Sequence, residues 1–328
     1  MYEKKYHEED LNRYSFLVTG GAGFIGSNIV EYLVKYDAPK ITVIDNLSSG
    51  SIENIKPFMN LKNFEFINAD IKNYNSCLKA CKNVDIVFHE AALCSVPRSV
   101  QNPVATNESN VNGFVNMLFA AKESKVRRFI YASSSSVYGD NNTLPKKEEI
   151  TGNPLSPYAV SKISNELYSG VFRKIYDMNI VGLRYFNIFG PRQNPDGPYA
   201  AVIPIFITAL LNNIQPAING DGEQTRDFTF IENAVQANIK AAFSDITESK
   251  GKVFNIACGR KTSINKLYEL IKNLTASSIF PVYNPERTGD IKNSYADINK
   301  AQKLINYNPE IELETGLKIT LDWFKRKM

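Results

Sequence analysis

Tyr158 and Lys162 stand four residues apart in "SPYAVSK", and "YASSSSVYGD" places Ser134 24 residues before the tyrosine. Residues four apart on a helix share a face, so a phenol and an ammonium would sit one turn apart. A phenol acts as a base near neutral pH only where its proton is made easier to lose, and a neighbouring cation does that. Ser134 closes an apolar run that reads as a strand, and open parallel sheets take their ligands at the carboxyl ends of strands. The spacing alone is weak, because Tyr36 with Lys40 and Tyr268 with Lys272 repeat it. The serine upstream sets the middle pair apart. The plainer readings are an ordinary amphipathic-helix tyrosine and a solvated serine spacer.

A second constellation lies near the N-terminus. "TGGAGFIG" supplies Gly20, Gly23 and Gly26 between an apolar run and a stretch of helical periodicity. Glycines there allow a tight turn, close approach of backbone to a diphosphate, and phosphates seated on a helix N-terminus. Asp45, nineteen residues past Gly26, ends the next strand. A carboxylate at that point accepts hydrogen bonds from an adenosine ribose and repels a 2′-phosphate, which favours NAD over NADP. Asp70 with Ile71, ending the third strand, borders the adenine or is a plain surface acid. His89 on an apolar strand reads more readily as a satisfied core histidine than as a catalyst.

The elements needed to position these residues are legible as alternating strands and helices. "YSFLVT", "KITVIDN", "NFEFINAD", "VDIVFHEAA", "VRRFIYASS" and "MNIVGLRYFN" read as strands. Helical stretches fall between several of them, including a long helix entered after Pro103 and another across "SPYAVSKISNELYSGVFRKIYD". This rhythm predicts an α/β chain: a Rossmann-like doubly wound parallel sheet with a smaller α/β substrate-binding domain. The expected division is 1–186 plus about 228–260 for the NAD-binding domain, and 187–227 with 261–328 for the smaller one. The chain has 328 residues, 43% hydrophobic and 22% charged, ordinary values for a globular protein. A net charge of +4 without a long basic block gives a nucleic-acid partner little support. No apolar run approaches the roughly 20 residues of a membrane span, and the charged N-terminus does not read as a signal peptide. The four cysteines, Cys77, Cys81, Cys94 and Cys258, form no CxxC pair, so reduced thiols in a cytoplasmic setting are expected. With two histidines in the chain, no histidine-rich metal site is expected.

Taken together, "TGGAGFIG", "YASSSSVYGD", "SPYAVSK" and "RYFNIFGPR" resemble the extended short-chain dehydrogenase/reductases. Within them the chain is similar to UDP-hexose 4-epimerases, the branch acting on UDP-N-acetylglucosamine and its galacto epimer or the matching uronic acids. The resemblance runs over nearly the whole chain, including "AALCSVPRSVQNP", "INGDGEQTRDF" and "RTGDIKNSYADINKA". It implies a tightly bound NAD, regenerated at each turnover, contacted by Phe24, Ile25, Asn46, Ser49, Gly50, Ala91, Ala92 and Tyr185 besides the residues above. It makes Tyr158 the base, with Lys162 on the nicotinamide ribose and Ser134 on the sugar 4-oxygen. It assigns Ser95, Ser135 and Asn187 to the substrate, Ala201 and Val202 to the uracil pocket, Arg226 and Arg287 to the diphosphate, and Asp290 to the uridine ribose. Either arginine could instead form a surface ion pair. Related dehydratases and decarboxylases carry an acid beside the catalytic hydroxyl; "SSSSVYG" has none, which points to epimerisation. Ser294, where hexose-restricted relatives carry a bulky tyrosine, leaves room for a 2-acetamido group. Cys94 departs from the pattern, standing where a glycine is expected. The resemblance also implies a homodimer and a role in polysaccharide or glycan synthesis. Three readings stay open here: a UDP-N-acetylhexosamine 4-epimerase, the same chemistry on a UDP-N-acetylhexosaminuronic acid or on UDP-glucose and UDP-galactose, and a non-catalytic NAD-binding scaffold.

Overall fold

The computed structural model describes residues 1–195, 200–286 and 291–327. Its centre is a seven-stranded sheet in which every pair is parallel. The strands are β1 (Ser15–Thr19), β2 (Lys40–Asp45), β3 (Phe64–Asn68), β4 (Ile86–His89), β5 (Arg128–Ser134) and β6 (Ile180–Tyr185), joined by Val253–Ile256. They lie in the order β3-β2-β1-β4-β5-β6, with Val253–Ile256 beyond β6. The order reverses between β1 and β4, and such a switch point leaves a crevice outside the carboxyl ends of the strands. β4 and β6 are buried along their whole length, while the edge strand β3 is half-exposed. That contrast explains why the inner strands read as continuous apolar runs.

Helices cover both faces. α1 (Phe24–Lys35) and the helix Ile231–Phe243 pack on one side, with Ile29, Leu33, Val235 and Ile239 in a core shared with Val18, Val43 and Ile130. On the other side Met117 and Leu118 of Gly113–Glu123 and Phe172 of Pro157–Tyr176 bury Leu17, Val87 and Phe129. The helix expected after Pro103 is one continuous rod, but its middle turn, Glu108–Asn112, is a π-turn between Pro103–Asn107 and Gly113–Glu123. Such wide turns recur at functional sites. Here it aims Asn110 at the loop after β4: its side chain accepts from Leu93 N at 2.8 Å and donates to Leu93 O at 3.2 Å.

A smaller α/β unit follows β6. It contains the helix Val202–Leu211, the parallel pair Ala217–Asn219 with Val282–Asn284, the antiparallel pair Thr225–Arg226 with Thr262–Ser263, and the helices Ile264–Thr275 and Leu313–Lys327. Between its parts the chain returns to the main sheet through Ile231–Phe243 and Val253–Ile256. Val202–Leu211 and Ile231–Phe243 were not among the expected helices.

Candidate active site

The carboxyl ends of the strands open on a cleft of about 490 Å³ that runs from the end of β3 past β1 to the ends of β5 and β6. At the switch point the chain closes up as only glycine permits. Gly20 has φ +66°, and a Cβ there would lie 2.7 Å from Ala91 N; a Cβ on Gly26 would lie 2.3 Å from Gly20 O. Any side chain would push the loops after β1 and β4 apart. The α1 N-terminus, preceded by Gly23, has no side-chain cap, so its first N–H groups stay available to an anion. Asp45 is 8% exposed and accepts hydrogen bonds from Ala22 N at 3.0 Å and Leu47 N at 2.8 Å. Burial raises its pKa while those two bonds lower it. A glycine cradle over an uncapped helix, with a fixed carboxylate beside it, fits the diphosphate and ribose of a dinucleotide. Phe24, Ile25, Asn46, Ser49, Asp70, Ile71, Ala91, Ala92 and Tyr185 line this cleft. Gly50 is not among its lining residues; it packs against the Ala22 backbone and supports the glycine turn from behind. Asp70 accepts from Asn46 Nδ2 at 2.9 Å, tying the ends of β2 and β3 together.

At the other end stands the tyrosine. Ser156 caps the helix Pro157–Tyr176 by accepting from Ala159 N at 3.1 Å, and Pro157 opens its first turn. Tyr158 N donates to Ser99 Oγ at 3.1 Å. The phenol is thereby pinned at the cleft wall, 7% exposed. Lys162, 3% exposed, donates to Ala132 O at 2.9 Å, and its Nζ lies 5.8 Å from the Tyr158 ring centre. Alternation along β5 sends successive serines opposite ways. Ser133 borders the cleft but turns its hydroxyl away from it, donating to Glu166 Oε1 at 2.5 Å within a buried network in which Arg184 grips both Glu166 oxygens at 2.9 and 2.7 Å. Ser134 and Ser135 face the cleft, where Ser134 Oγ accepts from Ser136 N at 3.1 Å and Ser136 Oγ at 2.9 Å. The serine run is therefore an anchored strand end and not a spacer.

Burial pushes the Tyr158 phenol well above its ordinary pKa, and Cys94 pushes the same way; the hydrogen bond with Ser134 lowers it. Burial also lowers the Lys162 ammonium. Desolvation dominates both, so the protein's own groups keep Tyr158 protonated, and a further positive charge beside it is what would turn it into a base. Cys94 is exposed in the cleft, its Sγ 3.5 Å from Tyr158 Oη. Ser95 lines the cleft and caps the helix Val96–Gln101 by accepting from Arg98 N at 3.2 Å. Asn187, with φ +37°, lines it too and donates to Asp227 O at 3.2 Å. That strained backbone is held by the strand junctions on both sides. His89 is a core residue: its Nδ1 meets Thr19 Oγ1 at 3.0 Å, its ring sits between Phe114 and Phe129, and burial lowers its pKa to about 3.

Among the cleft residues that the sequence did not point to, Glu90 carries the chemistry. Glu90, just past β4, lines the cleft beside Tyr185 and Lys162, and burial raises its carboxyl pKa to about 7. Its signal was available: an acid at the carboxyl end of a strand at a sheet's switch point. Conversely, Ala201, Val202, Arg226 and Ser294 do not line this cleft. Ala201 and Val202 start a helix of the smaller unit. Arg226 and Ser294 are neighbours there, since Ser294 N donates to Thr225 O at 3.1 Å. Arg287 and Asp290 lie outside the described residues. No described helix is long and apolar enough to cross a membrane.

Comparison with known proteins agrees with this architecture. Residues 16–257 match the model of the NAD dependent epimerase/dehydratase family. A solved UDP-N-acetylglucosamine 4-epimerase from Methanobrevibacter ruminantium M1, in complex with UDP-N-acetylmuramic acid, is 44% identical over 96% of this chain and 99% of its own, with a TM-score of 0.91. The UDP-glucuronic acid 4-epimerase of Bacillus cereus, solved with UDP-glucuronic acid and NAD, is 32% identical over 96% of this chain and 100% of its own, with a TM-score of 0.89. A UDP-glucose 4-epimerase from Mycolicibacterium smegmatis is 36% identical over 95% of this chain and 98% of its own. These three relatives of near-equal coverage are named for three different UDP-sugars, so likeness alone does not choose among them. With its glycine cradle, its anchored serine strand end and its buried tyrosine–lysine turn, the chain belongs to the NAD dependent epimerase/dehydratase family.

Proposed function

We propose that the protein interconverts UDP-N-acetylglucosamine and UDP-N-acetylgalactosamine by epimerisation at C4, with a tightly held NAD regenerated in each turnover. The observation that carries this is the pairing of the buried Tyr158 phenol with Ser134 on a strand end that bears no acid of its own. The 44% identity to a UDP-N-acetylglucosamine 4-epimerase supports the choice of sugar. Bound NAD supplies a reversible two-electron acceptor for the hydrogen on C4 and a positive ring that favours the phenolate. Tyr158 then accepts the proton of the 4-hydroxyl while Ser134 holds the same oxygen. The 4-keto sugar turns about its link to the diphosphate, and Tyr158 gives the proton back as C4 regains its hydrogen on the other face. No other bond of the sugar breaks. Among the described residues Glu90 is the one carboxyl lining this end of the cleft, and its Oε1 accepts from the Tyr185 hydroxyl at 3.0 Å.

We also propose a homodimer. Leu155, Val160, Leu167, Val171 and Ile175 give the Tyr158 helix and its approach an exposed apolar face, extended by Val100 and Val104 from the neighbouring helices. A monomer rarely shows so continuous a patch to water.

Purified protein incubated with UDP-N-acetylglucosamine should yield its galacto epimer, faster than UDP-glucuronic acid or UDP-glucose yield theirs. Tyr158→Phe should lose about 10²- to 10⁴-fold in turnover while retaining its dinucleotide. Failure to form the galacto epimer from the acetamido sugar, with turnover of another UDP-sugar, would move the assignment to that sugar.

A further inference from the structure

Glu90 is built into the cleft from three sides. Its N–H donates to Thr19 O at 3.1 Å, which fixes the backbone at the switch point. Asn238 Nδ2 donates to the Tyr185 hydroxyl at 2.7 Å, leaving that hydroxyl to give its proton to Glu90 Oε1 at 3.0 Å. The other oxygen, Oε2, is buried and has no hydrogen-bond partner among the described residues. Asn238 Oδ1, at the far end of the same chain, is unpaired as well, but it belongs to a neutral amide; a buried carboxylate oxygen left unpaired is the costlier exception and calls for a reason. The charged and titratable neighbours are few: the Lys162 ammonium and the Tyr158 phenol on one helix, and Tyr185 on β6. The mechanism above uses Tyr158 and Ser134 and has no step for Glu90.

In the proposed reaction Tyr158 takes the proton of the 4-hydroxyl while the hydrogen on C4 goes to the nicotinamide, so bound NAD would present that ring at the Tyr158 end of the cleft. Oxidised, the ring is a cation; reduced, it is neutral. We propose that Glu90 poises the bound dinucleotide, favouring the oxidised, cationic ring over the reduced one so that electrons are returned to the 4-keto sugar before it escapes. Two electrons and the C4 hydrogen pass to the ring and come back, the hydroxyl proton goes to Tyr158 and returns, and Glu90 exchanges no atoms. Its effect is Coulombic, and burial makes it strong. Burial raises the Glu90 carboxyl while Lys162 and the Tyr185 bond pull it down; a cationic ring acts in the same direction as Lys162.

This rests on the reading of NAD as cofactor, and the test separates the two. The holoprotein is equilibrated with a redox couple of known potential, and the reduced fraction is read from the absorbance of the reduced ring. Glu90→Gln should raise the midpoint by about 30 mV, a tenfold shift toward the reduced form for a two-electron couple. Glu90→Asp, which keeps the charge, should stay near wild type. Should Glu90→Gln shed its dinucleotide, the ratio of NAD to NADH affinities measured by titration replaces the midpoint and should fall tenfold. An unchanged midpoint, or an unchanged affinity ratio, overturns the role of Glu90 and leaves the cofactor reading standing. A wild-type protein that binds neither form removes both.

Discussion

Cys94 brings a soft nucleophile within 3.5 Å of the phenol that the chemistry depends on. It is exposed, whereas Cys77 and Cys81 are buried and Cys258 is half-buried, so a brief treatment with iodoacetamide should modify Cys94 first. A carbamidomethyl group there would occupy the space between Tyr158 and the sugar. Turnover should fall at least tenfold in step with modification, UDP-sugar should protect, and Cys94→Ser should be insensitive. Full modification at Cys94, read by peptide mass, with turnover unchanged, would show that the thiol points away from the reacting sugar. At this scale the sequence is most readable where spacing carries chemistry. Gly20, Asp45, Ser134 and Tyr158 were found because a turn, a strand end and a helix face each impose a period. Glu90 shows only its place at a strand end in the sequence; its burial and its bonding come from Tyr185 and Asn238, 95 and 148 residues further on.

At the scale of elements, the N-terminal segment has a task that its polar sequence conceals. Tyr2 donates to Asn28 of α1 at 2.7 Å, Tyr6 donates to Glu232 at 2.9 Å, and His7 Nδ1 meets the Tyr32 hydroxyl at 2.8 Å. Asn28 in turn donates to Pro191 O at 3.2 Å, so this strap ties the dinucleotide helix to the loop entering the smaller unit. Burial lowers the His7 pKa to about 4, against about 6.5 for the unfolded chain. Between those values the unfolded state binds the extra proton, so stability rises with pH across that window and is lost as pH falls from 6.5 toward 4. The loss should reach about 2–3 kcal/mol, read from denaturant unfolding at a series of pH values. His89, lowered to about 3, adds a loss of the same sign over the same window, so His7→Gln should make this part of the profile shallower without abolishing it; a profile as steep as wild type in that variant would place the His7 contribution elsewhere. The same scale explains the two unexpected helices. Ile231–Phe243 follows a strand with Phe230 at its N-cap, so it lacks a polar start signal, and its polar residues Glu232, Asn233 and Gln236 are themselves buried. Val202–Leu211 carries Pro204 in its first turn, which reads as a breaker although a first-turn proline is tolerated.

For the whole molecule, the question is what covers the outer face of the Tyr158 helix. One side of that helix buries Tyr158, Ser161, Lys162, Asn165 and Ser169 toward the sheet, and the other leaves Val160, Leu167, Val171 and Ile175 in solvent, with Leu167 and Ile175 each 67% exposed. Both sets recur at helical spacing, so the helix carries a second apolar face that the proposed dimer would cover. The helix beginning at Pro103 runs beside it and exposes Val104 (66%) and Phe119 (38%), which makes the patch two helices wide. A second copy presenting the same pair would bury it in a four-helix arrangement about a two-fold axis, the commonest symmetry of soluble oligomers. A stable interface of that kind removes roughly 800 Å² from each partner. Leu167→Glu would place a carboxylate at the centre of the patch, where two copies would meet like charge in a desolvated setting. Sedimentation should give twice the monomer mass for the wild type and the monomer mass for Leu167→Glu. Because the paired helix also holds Tyr158 and Lys162, the monomeric variant should unfold at a lower temperature and turn over more slowly, with the cleft residues themselves unaltered. A wild type that sediments as a monomer, or a Leu167→Glu protein that stays dimeric, would mean that something other than this face sets the assembly.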